Sequence, residues 1–170
     1  MKKLKEGDFN LRRIDIFKLA IKKELQDKNN VKISTIVNKL ISRSDATKNS
    51  DGSYSFTAGI DLFALGLTSF PIRFKTVKGY FDCAKNNLTS LEGSPQIVTE
   101  DFDCFNNNLT SLKGAPQIVK RNFYCYGNNL ISLKGIPQIV EGDFYCYNNT
   151  IQFTEEDIKA VSNIKGIIHR

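Results

Sequence analysis

The chain is poor in the residues that carry chemistry. Its one histidine, His169, has no evident nucleophile or second ligand. Its four cysteines, Cys83, Cys104, Cys125 and Cys146, form no Cys-x-x-Cys pair and recur every 21 residues. That interval stacks the thiols in a row rather than around a tetrahedral metal, and parallel side chains in register suit a disulfide poorly. Buried Cys behaving as a small hydrophobe is the expected role. Glycine-rich phosphate loops and other catalytic motifs are absent. No enzyme, metal or cofactor is expected. Long apolar runs are missing too. Nothing approaches the ~18 residues of a spanning helix. The basic start, Met1-Lys-Lys-Leu-Lys-Glu, is not followed by the apolar stretch of about seven residues or more that a secretory signal needs. Neither a membrane nor an export route is expected, and a cytosol is the default location, where thiols stay reduced.

What is present is ordinary soluble composition, 41% hydrophobic and 25% charged, with the charge unevenly placed. Residues 1–48 hold 13 Lys and Arg against 6 Asp and Glu, or +7, and the remaining 11 basic and 12 acidic residues give −1, which together make the +6 of the chain. The basic segment suits either a solvated cap or contact with nucleic acid or an acidic surface.

From about Ile60 onward the sequence repeats. Phe81-Asp-Cys83, Phe102-Asp-Cys104, Phe123-Tyr-Cys125 and Phe144-Tyr-Cys146 fall into one column at an offset of 21. Asn-Asn-Leu follows each of the first three, beginning at Asn86 or its equivalents Asn107 and Asn128, and then Gly-x-Pro-Gln-Ile-Val, ending at Val98, Val119 and Val140. A fixed period in the 20s signals a solenoid whose units bury their apolar side only against neighbours. Five coils are expected, starting at Ile60, Phe81, Phe102, Phe123 and Phe144, the first degenerate and the last incomplete.

Before the repeat, Ile14, Phe17, Ile21 and Leu25 recur at helical spacing between Asn10 and Asp27. A second helix is expected from Ser34 as N-cap, with Ile36, Val37, Leu40 and Ile41 on one face. Asp51-Gly52 reads as a turn, and Tyr54 to Thr57 alternates as a short strand. At the other end Thr154 followed by Glu155, Glu156 and Asp157 predicts a helix start, and Ile158, Val161 and Ile164 an apolar stripe closing the core. The expected organisation is a basic helical cap over 1–52, a five-coil solenoid over 53–153 and a capping helix over 154–170.

Within Phe-x-Cys the side chains alternate, so the Phe and Cys columns, the two Leu columns and the Val column are core. The Asn column is expected to bond backbone groups of its own and the next coil, because a buried amide needs such partners. Gly and Pro supply the bend.

Phe-x-Cys-x-x-Asn-x-Leu-x-x-Leu-x-Gly-x-Pro-x-x-Val resembles the short bacterial-type leucine-rich repeat, in the variant common in phage-encoded proteins, over Ile60 to about Gln152. Phe and Cys stand where Leu is more typical, and one extra residue separates Val from Phe. The resemblance implies an α/β solenoid with a right-handed turn, parallel strands lining a recognition face, and helical caps. It implies no catalytic activity. By analogy the partner is a host protein that the chain inhibits or redirects, in the host cytoplasm.

The outward columns are the informative surface. One reads Asp61, Asp82, Asp103, Tyr124, Tyr145, and the other Phe63, Ala84, Phe105, Tyr126, Tyr147. Stacked, they predict a plate acidic at its N-terminal end and aromatic at its C-terminal end. Tyr is enriched at interface centres, and aromatic ladders also stabilise sheets. The leading expectation is protein binding through Phe105, Tyr124, Tyr126, Tyr145 and Tyr147, with Asp82 and Asp103 steering a basic patch. Two alternatives stand beside it. One is nucleic-acid association through Arg12, Arg13, Lys18, Lys22, Lys23 and Lys39. The other is self-association as a homo-oligomer.

Overall fold

The computed structural model describes residues 32–170, in two units divided between Leu40 and Ile41. In the first unit, residues 32–40 are helical, and the helix, α1, runs on through residue 41. Ser34 lies inside that helix rather than at its cap. Leu40 is buried, Ile36 and Val37 are half-buried and Ile41 is exposed, so only part of the expected stripe is covered. The helix expected over Asn10 to Asp27 lies outside the described residues.

The second unit is a β-solenoid of about six turns with parallel strands. Each turn contributes one short strand to each of two sheets. Sheet A contains β1 (Ala46–Lys48), β2 (Tyr54–Phe56), β4 (Phe74–Val77), β6 (Ile97–Val98), β8 (Ile118–Val119), β10 (Ile139–Val140) and β12 (Asn163–Ile164). Sheet B contains β3 (Ile60–Asp61), β5 (Phe81–Asp82), β7 (Phe102–Asp103), β9 (Phe123–Tyr124), β11 (Phe144–Tyr145) and β13 (Ile168–His169). Apart from the antiparallel pair β1 and β2, which closes around the expected Asp51-Gly52 turn, every pairing is parallel. Strand β1, in the stretch grouped with the N-terminal segment on sequence, thus pairs with the solenoid.

The expected α/β class is corrected to a mainly β architecture. No helix crosses between strands in the four coils that start at Ile60, Phe81, Phe102 and Phe123. The Ile-Val segment, read only as core, forms the second sheet, and the arcs on either side are too short and too rich in Gly and Pro for helix. The C-terminal helix is also smaller than expected. Thr154 does cap α2 (Glu155–Lys159), accepting from the Asp157 N–H at 3.1 Å while the Asp157 carboxylate accepts the Thr154 N–H at 3.0 Å. That single turn of helix lies between β11 and β12 and so completes the fifth coil, expected to be incomplete, while β13 opens a sixth; β12 and β13 pair with β10 and β11. Ile158 is buried, but Val161 lies beyond the helix and is exposed, and Ile164 belongs to β12.

The core is a set of columns. Phe81, Phe102, Phe123 and Phe144 are fully buried and stack ring on ring at 5.5, 5.2 and 5.4 Å. Val77, Val98, Val119 and Val140 come in from sheet A, and Leu88, Leu109 and Leu130 from the arc between. Each such side chain contributes about 1.5–3 kcal/mol by leaving water.

The Asn column secures one arc. The Asn107 Nδ2 donates to the Cys83 and Cys104 carbonyls at 3.0 and 3.2 Å, and its Oδ1 accepts the Leu88 N–H at 3.0 Å. Asn86, Asn128 and Asn149 repeat the arrangement. The bonds run to the same coil and the preceding one, not the next. Just before each Asn, and before Leu65 that replaces it in the first coil, the chain turns through left-handed backbone at Ala64, Lys85, Asn106, Gly127 and Asn148, with φ between 51° and 66°. This ends each strand after two residues and costs the non-glycine positions about 1 kcal/mol or more each. Further along the same connection Gly114 has φ +88°, and a Cβ there would stand 2.5 Å from the Leu91 carbonyl carbon.

Candidate functional site

Two-residue strands in register turn the outer face of sheet B into a grid. Three side chains per coil point outward: the residue before the strand, its second residue, and the one after Cys or Leu. From the N-terminal end the rows read Gly59, Asp61, Phe63; Tyr80, Asp82, Ala84; Asp101, Asp103, Phe105; Asn122, Tyr124, Tyr126; Asp143, Tyr145, Tyr147; and Ile167 with His169. All seven residues expected at a protein-binding surface, Asp82, Asp103, Phe105, Tyr124, Tyr126, Tyr145 and Tyr147, therefore share one face. Of the basic residues considered for nucleic acid, Lys39 is exposed in α1. Arg12, Arg13, Lys18, Lys22 and Lys23 lie outside the described residues.

The aromatic columns are stacked. Phe105, Tyr126 and Tyr147 follow one another at 4.7 and 4.6 Å with ring planes within 10° of parallel. Tyr124 and Tyr145 stack at 4.6 Å, and His169 continues that column at 4.1 Å from Tyr145. Only Tyr147 among these rings is exposed; the others are half-buried, because each covers the face of the next. The surface thus presents ring edges rather than open ring faces. Its rings are held in fixed orientation before any partner arrives. Burial raises the tyrosine hydroxyls Tyr124, Tyr126 and Tyr145 above their ordinary range.

A third column, not singled out from the sequence, braces these rings. The Asp101 carboxylate accepts the Asn122 N–H at 2.9 Å, Asn122 Oδ1 accepts the Asp143 N–H at 2.8 Å, and Asp143 accepts the Ile167 N–H at 2.8 Å. Asn122 Nδ2 also donates to the Tyr124 hydroxyl at 3.0 Å, and the Tyr145 hydroxyl donates to Asp143 at 3.3 Å. The offset of 21 that aligns Phe102, Phe123 and Phe144 also aligns these residues, so the signal was in the sequence. His169 gave no such signal, since the helical turn before β12 moves it to an offset of 24 from Tyr145.

The acidic end is different in kind. Asp61, Asp82 and Asp103 are register partners, one strand spacing apart, about 4.8 Å. Asp61 and Asp82 each accept the N–H two residues on, at 2.9 Å. Burial pushes the Asp82 carboxyl up, offset in part by the Ala84 N–H, with the Asp61 charge adding to the rise. Asp103 is pushed up to about 7 by burial and by the charges of Asp82 and Asp101. Among the described residues, Asp82 and Asp103 form no salt bridge. Among the described residues, cations stand at the margins of the row: Arg121 Nε is 4.0 Å from Asp101, and the Lys85 ammonium lies 5.3 Å from the centre of the Phe63 ring.

Elsewhere the structure holds little that could act chemically. The four thiols are free and buried, and burial raises Cys83, Cys104 and Cys125 far above the ordinary thiol range and Cys146 to about 11. Among the described residues no group of three or more His, Cys, Asp or Glu is placed to hold a metal ion, and no helix is long and apolar enough to cross a membrane. A hollow of about 270 Å³ along the Gly-Pro arc is bordered by Asp51, Arg73, Lys75 and Glu92. Its charges are matched within the chain, Lys75 to Asp51 at 3.6 Å and Glu92 to Lys113 at 3.0 Å.

No family model, curated protein or solved structure matches this chain. Its own geometry shows a repeat solenoid with turns of ~21 residues, built from parallel strands.

Proposed function

We propose that this protein is a non-enzymatic binding module of the short leucine-rich-repeat type, which docks a partner protein on the outer face of sheet B. The observation that carries the reading is the pair of stacked columns, Phe105–Tyr126–Tyr147 and Tyr124–Tyr145–His169, on a solvent-facing sheet surface. Stacking of this kind stabilises the sheet. It also fixes the rings, so they lose little further side-chain freedom when a partner packs against them, and aromatic residues are enriched at the centres of protein interfaces. The repeat resembles those of phage-encoded proteins, which makes a host protein that is inhibited or redirected the first partner class to seek.

The test is affinity capture from a nuclease-treated lysate, comparing the intact chain with a Tyr126→Ala/Tyr147→Ala variant shown to be folded by circular dichroism. A protein retained by the first and lost by the second supports the reading. Equal retention by both removes the aromatic columns from the interface.

A further inference from the structure

The N-terminal half of the same face has a chemistry that the aromatic columns do not explain. Asp61, Asp82 and Asp103 run down its centre. Tyr80, 42% exposed, stands on one side of that row, and Phe63, 40% exposed, and Phe105 on the other. The ladder of rings that rises from Tyr147 through Tyr126 stops at Phe105, because the next position is Ala84. Among the described residues no ring is stacked on that side of Phe105. Phe63, beyond the gap, already attracts a cation, the Lys85 ammonium. Asp82 and Asp103 form no salt bridge among the described residues, and carboxylates bordered by aromatic rings attract a positive group twice over, through charge and through the ring quadrupole.

Building on the protein-binding reading above, we propose that this half of the face receives arginine side chains from an extended basic segment of the partner protein. A guanidinium is the group that fits, since its planar fork bonds carboxylates on neighbouring strands while its flat surface lies against an aromatic side chain. Lysine supplies only a point charge. Nucleic acid is disfavoured because four carboxylates in this half, Asp61, Asp82, Asp101 and Asp103, repel phosphate. Like-charge repulsion within the row, which helps push the Asp82 and Asp103 carboxyls up in the free protein, is relieved when the arginines arrive. The two halves then divide the work, the acidic half choosing the partner by charge and the aromatic half supplying apolar contact.

The test uses the whole chain and a displayed library of random twelve-residue peptides, with the Asp82→Asn/Asp103→Asn and Tyr126→Ala/Tyr147→Ala variants in parallel. The expected result is enrichment of arginine-bearing peptides. Their affinity should fall at least tenfold in the double Asn variant and at least threefold when each arginine is replaced by lysine, and should weaken as salt is added. Arginine peptides bound equally well by the double Asn variant would overturn the proposal. Enrichment of peptides without basic residues, lost only in the tyrosine variant, would overturn it while leaving the protein-binding reading intact. If neither variant changes which peptides are retained, both fail. Displacement of the enriched peptides by a synthetic copy of residues 10–28 at equal concentration would assign the acidic row to the chain's own basic segment and overturn the choice of a separate partner.

Discussion

Replacing Asp103 with Asn should stabilise this protein at neutral and alkaline pH and leave it unchanged in acid. The side chain is largely enclosed between coils, faces Asp82 one strand away and Asp101 on its own coil, and its carboxyl is pushed up from 3.8 to about 7. The folded chain therefore keeps this proton up to about pH 7, while the unfolded chain releases it near pH 3.8. Between those values the folded state binds more protons than the unfolded one, so stability falls as pH rises through the window and levels off above it. At about 1.4 kcal/mol per pKa unit the rise would correspond to at most about 4 kcal/mol. Solvent reaches the outer edge of the row and screens it, which brings the expected difference to about 1–2 kcal/mol. Urea unfolding of wild type and Asp103→Asn at pH 4, 5.5, 7 and 8.5 reads this directly. The gap in stability should open from near zero to that value by about pH 7 and then hold. A constant gap across the series, or a variant less stable than wild type at pH 8.5, would refute the argument. A carbon-13 titration of the wild-type Asp103 carboxyl provides the independent check, with a midpoint near 7 expected in place of the usual carboxylate range.

Three further outcomes follow from the coil geometry. Gly114→Ala should cost about 3 kcal/mol in urea unfolding, combining left-handed backbone strain with overlap against Leu91, whereas Gly93→Ala, with φ +93° but its nearest neighbours 3.7 Å away, should cost about 1–2 kcal/mol. Similar losses at both positions would show that the close approach of coils does not limit the site. Asn107→Ala should cost about 3–5 kcal/mol, because it strands the Leu88 N–H and two cysteine carbonyls in the core, and Asn149→Ala, in a partly exposed turn, about 1–2 kcal/mol. The four thiols should resist an aromatic disulfide reagent in the folded protein, Cys146 reacting first, and should all react when the chain unfolds in urea. Rapid labelling of Cys104 in native conditions would contradict its burial.

Much of this architecture was legible because a solenoid writes its spacing into the chain. The offset of 21 placed Phe102 over Phe81, Cys104 over Cys83 and Asp103 over Asp82, and those pairs are register partners or buried neighbours in the structure. Alternation within Phe-x-Cys separated the core columns from the surface columns except at Ala84, read as outward but fully buried. The alternation that revealed sheet B is absent from Gln-Ile-Val, where a single inward Val follows a half-buried Ile, so sheet A went unread. The completion of the fifth coil by β12 and the start of a sixth at β13 were missed for a related reason. Inserting a capped helical turn shifts Ile164 and Ile168 to an offset of 24 from Val140 and Phe144, which breaks the period that made the other coils visible.

Sequence alone determined the repeat length, the core columns and, from Ile60 to Tyr147, two of the three outward columns of sheet B, since period and alternation are properties of the chain itself. Tertiary structure decided how those side chains behave. Only when coils stack at strand spacing do Tyr126 and Tyr147 cover each other's faces at 4.6 Å, Asp101, Asn122 and Asp143 link through side chain and backbone, and Asp103 come to hold a proton near neutrality. The physical reason is that each of these effects is an interaction between residues about 20 positions apart, created by the distance between neighbouring turns and by the exclusion of water between them.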